Sequence, residues 1–367
     1  MASVDLSAVA ERFGLGRVLE GPRPVAVGAL SNRLWRVEAA SGCFAVKEMV
    51  SHADREWLVP QVEAAFAIEL RARAAGVPVP QPVPDPLTGC CLARIGGRLV
   101  RVHQWMNGRG LTLGGADCGL AGLAGDLLAR IHRATGPPGG GEREAGEPFA
   151  AGHWAALAGR IERRAPVLAG QVRADAAFLA ALQARTTIPA PAHDLIDSHA
   201  DLNPKNALLR PDGSLAAVDW DAARTVSAGQ ELVQVALDWA AHPRTQGGID
   251  PARLQAVLDS YRAAGGPASP ERGPTAFGAW ICSWAWWLDY QLDHNVAGGA
   301  GIEAGVREAA ITLRHAPARS ARARCMDSTA AILRTARLLP PCSVRRRTPS
   351  APGDSLPWVR GTVLPTG

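Results

Sequence analysis

The chain has 367 residues, 47% hydrophobic and 20% charged, enough to bury a core in two or three lobes. Its seven cysteines (Cys43, Cys90, Cys91, Cys118, Cys282, Cys325 and Cys342) show no C-x-x-C pair or His spacing, which argues against a disulfide scaffold or zinc module. The formal net charge of +5 comes from one segment, Arg314 to Arg347, with nine Arg against one Asp; the remainder is mildly acidic.

Read in chain order, the opening stretch carries Asp5, Glu11, Arg12 and Arg17 among its apolar residues, unlike a signal peptide, and no apolar run reaches membrane-spanning length. A soluble, cytoplasmic protein is expected, with neither membrane nor nucleic acid as partner. Short β-like runs follow at Val25–Val27, Leu34–Val37 and Cys43–Lys47, an antiparallel meander. Val59–Ala75 is helix-like and stops at Gly76 before Val77-Pro78-Val79-Pro80. Strands at Cys90–Ile95 and Leu99–Trp105 around Gly96-Gly97 complete a small α+β lobe.

After Asn107-Gly108 the segments become long, Ala/Leu-rich and amphipathic, at Leu120–His132, Trp154–Ala165, Ala176–Ala184, Leu232–Ala241, Pro251–Ala264 and Thr275–His294. Gly136–Gly146 reads as a surface loop within this mainly helical lobe. One β-hairpin interrupts it, Ala207–Leu209 and Leu215–Val218 around Pro211-Asp212-Gly213-Ser214. Beyond Pro317 the periodicity decays into an Arg/Pro/Ser-rich tail, expected to be a solvated end. The division is thus 1–106, 107–317 and 318–367.

The densest chemistry is Ser198-His199-Ala200-Asp201-Leu202-Asn203-Pro204-Lys205-Asn206, followed after the hairpin by Val218-Asp219-Trp220-Asp221. Phosphoryl transfer needs a carboxylate to orient and deprotonate the attacking hydroxyl, and oxygen ligands for magnesium ions that neutralise the transferred group. Asp201 with Asn206 and Asp219 supplies that set. Asp201 and Asn206 share one short loop, and a tight hairpin returns Asp219 beside them.

These residues resemble the aminoglycoside phosphotransferase and choline kinase-like superfamily. The resemblance implies an α+β, two-lobed protein-kinase-like fold with a small antiparallel-sheet N-lobe and a mainly helical C-lobe. It implies Asp201 as base, Asn206 and Asp219 as metal ligands, and His199 as the residue that orients the loop. It also implies Lys47, in Ala45-Val46-Lys47 on the third strand, holding ATP phosphates and pairing with a helix glutamate; Glu69 is preferred to Glu63. The loop Gly28-Ala29-Leu30-Ser31-Asn32 has one glycine instead of G-x-G-x-x-G, so Ser31 and Asn32 are either phosphate contacts or plain turn residues. Val102–Gly108 looks like the family's hinge, with Gln104 and Met106 as the candidates beside adenine. The implied cofactors are ATP, with GTP as the alternative, and Mg2+.

Two features of protein kinases are missing, since Ala200 stands between His199 and Asp201 where they carry Arg, and no A-P-E follows Asp219. In Gly229-Gln230-Glu231-Leu232-Val233 and at Asp238, the carboxylates either fix a helix or reach a cationic substrate. Trp280, Trp284 and Trp287 fall at i, i+4, i+7, a core-packing stripe. Trp286, Tyr290, Asp289 and Asp293 are the alternative, a wall for an amine-bearing substrate. The expectation is ATP-dependent O-phosphorylation of a small, cationic hydroxyl compound, an amino sugar or amino alcohol. The rivals are a catalytically silent nucleotide-binding scaffold, which has no need of intact base and metal ligands, and a tail that binds nucleic acid or membrane, which steep salt dependence would expose.

Overall fold

The computed structural model describes residues 4–25, 32–50, 52–138, 152–162, 192–242, 248–271, 276, 278–280, 282, 283 and 286. Ala26 and Val27, Ser31, most of the Gly136–Gly146 loop, the segment Ala176–Ala184, residues Trp284, Trp287, Asp289, Tyr290 and Asp293, and the tail lie outside them.

A short helix not anticipated from the sequence, α1 (Leu6–Arg12), opens the described chain; the Asp5 carboxylate caps it by accepting from Ser7 N–H at 2.9 Å and Ala8 N–H at 3.3 Å. The first sheet contains β1 (Arg23–Pro24), β2 (Asn32–Ala39), β3 (Gly42–Met49), β4 (Pro82–Val83), β5 (Leu92–Ile95) and β6 (Arg98–Gln104). All pairs are antiparallel, in the order β1-β2-β3-β6-β4, with β5 also on β6. Side chains alternate across a strand, so Trp35, Val37, Phe44, Val46, Val100 and Val102 take one face and pack with Val9, Phe13 and Leu15 of the α1 region. Met49, Leu92 and Leu99 take the other, against α2 (Leu58–Ala74). Lys47 stands on this second face directly opposite Arg101.

The helix stop read from the sequence is a Schellman motif: Gly76 adopts φ +81°, its N–H donates to Arg73 O at 2.9 Å, and Val77 N–H donates to Ala72 O at 3.0 Å. Although α2 follows β3 in the chain, it is also tied to the second lobe, where the Arg71 guanidinium pairs with Asp197.

The second lobe carries β7 (Arg109–Gly110), α3 (Cys118–Thr135), α4 (His153–Glu162), β8 (Leu195–Ser198), β9 (Ala207–Leu209), β10 (Leu215–Ala217), β11 (Arg224–Ser227), α5 (Ala228–Ala240), β12 (Ala241–His242), β13 (Gly248–Ile249) and α6 (Pro251–Ala263). The β9–β10 hairpin closes through Gly213 at φ +82° and Asp212, whose carboxylate accepts from Ser214 N–H at 3.0 Å. Its partner β7 begins just past the hinge, so the chain leaves one sheet and enters the other within five residues of Gln104. Helices α3, α5 and α6 enclose the main core, built on Leu127, Leu128, Ile131, Trp220, Trp239 and Val257. Gly125 permits the close crossing of α3 and α6, because a Cβ there would lie 2.2 Å from Val257 O. No helix among the described residues is long and apolar enough to cross a membrane.

Candidate active site

The loop after β8 is fixed by its own sequence. His199, fully buried, faces Val218 O with Nε2 at 3.0 Å while its Nδ1 lies 3.3 Å from Asp201 N–H. Both bonds are made together only by the neutral tautomer protonated at Nε2, assigned from the network. The ring packs edge-on against Trp220, centroids 4.7 Å apart. Asp201 Oδ1 accepts from Asn203 Nδ2 at 2.8 Å, and Oδ2 accepts from Asn206 Nδ2 at 2.7 Å. Burial pushes the Asp201 carboxyl above the ordinary aspartate range, and the charge on Asp219 adds to it; the Asn203 amide and Lys205 oppose.

Two helical residues set the path of this loop. Ala200 has φ +62°, a left-handed conformation costly for a side chain with a Cβ. Its N–H donates to Glu231 Oε1 at 2.8 Å, and about two helical turns further on Trp239 Nε1 donates to Leu202 O at 2.9 Å. Glu231 also accepts from His132 Nε2 at 2.8 Å, and His132 Nδ1 meets the Tyr261 hydroxyl at 2.8 Å. Burial alone would raise the Glu231 carboxyl, but the bonds from His132 and Ala200 outweigh it and hold the group below its usual range. Of the two roles read for Glu231, the structure shows the fixing one. Asp238 likewise accepts from Trp280 Nε1 at 3.1 Å.

Across the cleft, Lys47 Nζ reaches Asp219 Oδ1 at 2.6 Å and Asp221 Oδ2 at 2.5 Å. Burial opposes its charge, yet the two carboxylates together raise its pKa above the ordinary lysine value. Asp219 sits at φ +64°, a conformation Asp tolerates better than most residues, and its side chain is half-exposed. Asp221 is partly buried, and the desolvation would raise its carboxyl, but Lys47 and Arg101 hold it well below the carboxylate range. Among the described residues, no group of three or more His, Cys, Asp or Glu side chains is arranged to hold a metal ion. The donor chemistry fits a cation that phosphates help to hold: Asn206 spends its amide nitrogen on Asp201, which leaves its carboxamide oxygen as a donor, and Asp219 has a half-exposed carboxylate.

The structure therefore brings Asp201, His199, Asn206, Asp219 and Lys47 into one cleft. The expected Lys47–Glu69 pair is not made. Arg101 stands opposite Lys47 and takes Glu69 by an ion pair, and His103 Nε2 lies 3.0 Å from the other Glu69 oxygen. Glu63 instead accepts from Cys91 N–H and Leu92 N–H, both at 3.1 Å, anchoring the start of β5. Asn32 begins β2 and uses Oδ1 to accept from Val50 N–H at 3.0 Å, while Ser31 lies outside the described residues. In the hinge, Gln104 N–H donates to Gln81 O at 2.7 Å and Trp105 N–H to Cys43 O at 2.8 Å; Met106 follows, half-buried. Arg101 and Asp221 were given no role from the sequence. The signal that locates Arg101 is register, because it is the residue directly across from Lys47.

The family model of APH, the phosphotransferase enzyme family, matches residues 23–272. The chain belongs to that family. No curated protein matches it. Among solved structures, a spectinomycin phosphotransferase in complex with ADP and spectinomycin is 11% identical with TM-score 0.54, over 81% of this chain and 94% of that one. A microcompartment-associated aminopropanol kinase is 14% identical with TM-score 0.55, over 89% and 98%. An ethanolamine kinase from Plasmodium vivax is 12% identical with TM-score 0.50, over 82% and 83%. At these identities the likeness concerns the fold, and the phosphotransferase family chain has the α+β, protein-kinase-like architecture expected from its sequence.

Proposed function

We propose that the chain transfers the γ-phosphoryl group of ATP, or of GTP, to a hydroxyl of an amino sugar or amino alcohol, with Asp201 as the base. The observation that carries this reading is the meeting of Asp201, Asn206, Asp219 and Lys47 from three separate segments, with Lys47 touching Asp219 at 2.6 Å. The Asn203 and Asn206 amides fix the direction of the Asp201 carboxylate. The acceptor hydroxyl donates to it; the new O–P bond forms as the bond to the leaving diphosphate breaks, and the proton passes to Asp201. A base raised above the ordinary aspartate range takes that proton more readily. Asn206 and Asp219 are the residues that would hold magnesium, which when bound would supply charge neutralisation on the transferring group. Lys47 then exchanges its bond to Asp219 for phosphate oxygens.

In this reading residues 1–106 carry the nucleotide and 107–317 the acceptor, in the cytoplasm where ATP is supplied. Met106 meets adenine in preference to Gln104, whose N–H is engaged in the sheet. The aminopropanol and ethanolamine kinases named above suggest an amine-bearing acceptor. The test is coupled ADP or GDP release with magnesium across aminoglycosides, choline, ethanolamine, homoserine, methylthioribose and macrolides. Turnover on one class is expected. Failure to bind either nucleotide would sink the assignment.

A further inference from the structure

Lys47 needs an anchor that survives nucleotide binding, because its bond to Asp219 is the one that a phosphate-bound cation would take away. In the structure its other partner is Asp221, at 2.5 Å from Oδ2. The remaining Asp221 oxygen, Oδ1, accepts from Arg101 Nη1 at 2.5 Å, and Arg101 Nη2 pairs with Glu69 of α2. These four residues come from four segments, and the middle link is among the most deeply buried side chains of the protein: Arg101 is 1% exposed. Its guanidinium lies over the Phe66 ring, 5.9 Å from the centroid. Its Nε is buried without a hydrogen-bond partner. A buried arginine with an unpaired N–H is a costly way to build a sheet, and an apolar residue would fill the same space between Phe66 and the strand.

We propose that Arg101 is a positioning residue, and that the chain Glu69–Arg101–Asp221–Lys47 replaces a direct glutamate–lysine bond in holding the phosphate-binding lysine. The geometry supports this in two ways. Lys47 and Arg101 are directly opposed on neighbouring antiparallel strands, so their side chains leave the same face, and both Glu69 oxygens are engaged away from Lys47, Oε2 by Arg101 and Oε1 by His103. The planar fork of Arg101 then spans two carboxylates at once, which a lysine ammonium cannot do with fixed direction. Through this chain the position of α2 reaches Lys47 by way of a carboxylate from the second lobe, so the phosphate-binding group is set only when both lobes are in register.

The proposal rests on the phosphotransferase reading for its consequence but not for its geometry, and its test separates the two. The chain has only two lysines, Lys47 and Lys205. In full-length protein labelled with 13C-lysine, the ε-methylene relaxation of each is therefore observable at fixed pH without nucleotide, with Lys205→Arg assigning the pair. Asp221→Asn leaves the Arg101–Glu69 pair in place and Arg101→Met removes the link itself; both are expected to raise the mobility of Lys47. In the same variants the Kd of the nucleotide should weaken about tenfold, equivalent to roughly 1.4 kcal/mol, with the KM of the acceptor unchanged. Adding Arg101→Met to Asp221→Asn should add little further loss, because the two act in series. Should Arg101→Met unfold, Arg101→Lys carries the test, with an intermediate effect. Unchanged Lys47 mobility in folded variants, or independent additive losses, would overturn the proposal. Wild type that binds no nucleotide while Lys47 still loosens in Asp221→Asn would overturn the phosphotransferase reading and leave the relay standing.

Discussion

Around Asp201 the contacts are hydrogen bonds in which at most one partner carries a full charge: His199 on Val218 O, two carboxamides on the carboxylate, and the buried Glu231 on Ala200 N–H. Around Lys47, a short distance across the cleft, the contacts are between full charges, Lys47 with Asp219 and Asp221, and Arg101 with Asp221 and Glu69. The loop is a finished hydrogen-bonded object whose geometry precedes any ligand. The ion cluster sets two cations against three carboxylates, and in the proposed function its Lys47–Asp219 bond is the one that phosphate and a cation would compete for. In the proposed function, preorganisation is thus placed where the proton would move, and exchangeable pairing where the nucleotide would enter.

The sharpest way to separate the two regions is to remove one charge from the finished one. Asp201→Asn is expected to lower kcat by about 10²–10⁴-fold, the usual worth of a general base, while the thermal midpoint stays at or above that of wild type. The stability arm follows from burial: a carboxyl raised in the folded state is destabilising once ionised, so its cost grows as pH rises through its folded value. In the wild type kcat/KM should fall on the acid side with an apparent pKa above the ordinary aspartate range, read from a pH–rate profile.

A smaller effect is expected at the support beneath the loop. Glu231→Leu deprives Ala200 N–H and His132 of their acceptor and should lower stability by about 3 kcal/mol, since hydrogen bonds to charged groups are worth about 1.5–3 each; urea denaturation measures it. The Glu231 carboxyl is depressed in the fold, so its contribution is complete above the unfolded carboxylate range and is lost as pH falls through the folded value. The Leu variant should show a weaker acid dependence. The smallest effect has the opposite sign: Ala200→Gly relieves a left-handed backbone and should stabilise by about 1 kcal/mol, with turnover retained if the loop is already set by Glu231 and Trp239.

Much of the first region was legible in the sequence, because it is local. His199, Asp201 and Asn206 lie within eight residues, and the hairpin that returns Asp219 carries its own turn chemistry in Pro211-Asp212-Gly213-Ser214. The strands β2 and β3 and the helix α2 are long enough for their periods to show, and Gly76 marks the stop. The second region was legible only in part, because its partners are distant: Arg101 and Asp221 are 120 residues apart, and nothing local distinguishes Arg101 from a surface arginine on a strand. Composition held one unused hint, since only two of the 39 basic residues are lysines and both fall in the motifs already singled out. Helix α1 was missed because seven residues give barely two turns of period, and β8 with β11 because four-residue strands whose partners lie 26 or more residues away carry no local pairing signal.

The most direct test of the account is single-turnover transfer of labelled γ-phosphoryl from ATP to an amine-bearing hydroxyl acceptor, run side by side on wild type and Asp201→Asn, with nucleotide affinity measured on both. The account predicts transfer by the wild type, loss of at least about a hundredfold in the variant, and nucleotide affinity that stays the same. Transfer at the wild-type rate by a folded Asp201→Asn protein would contradict it.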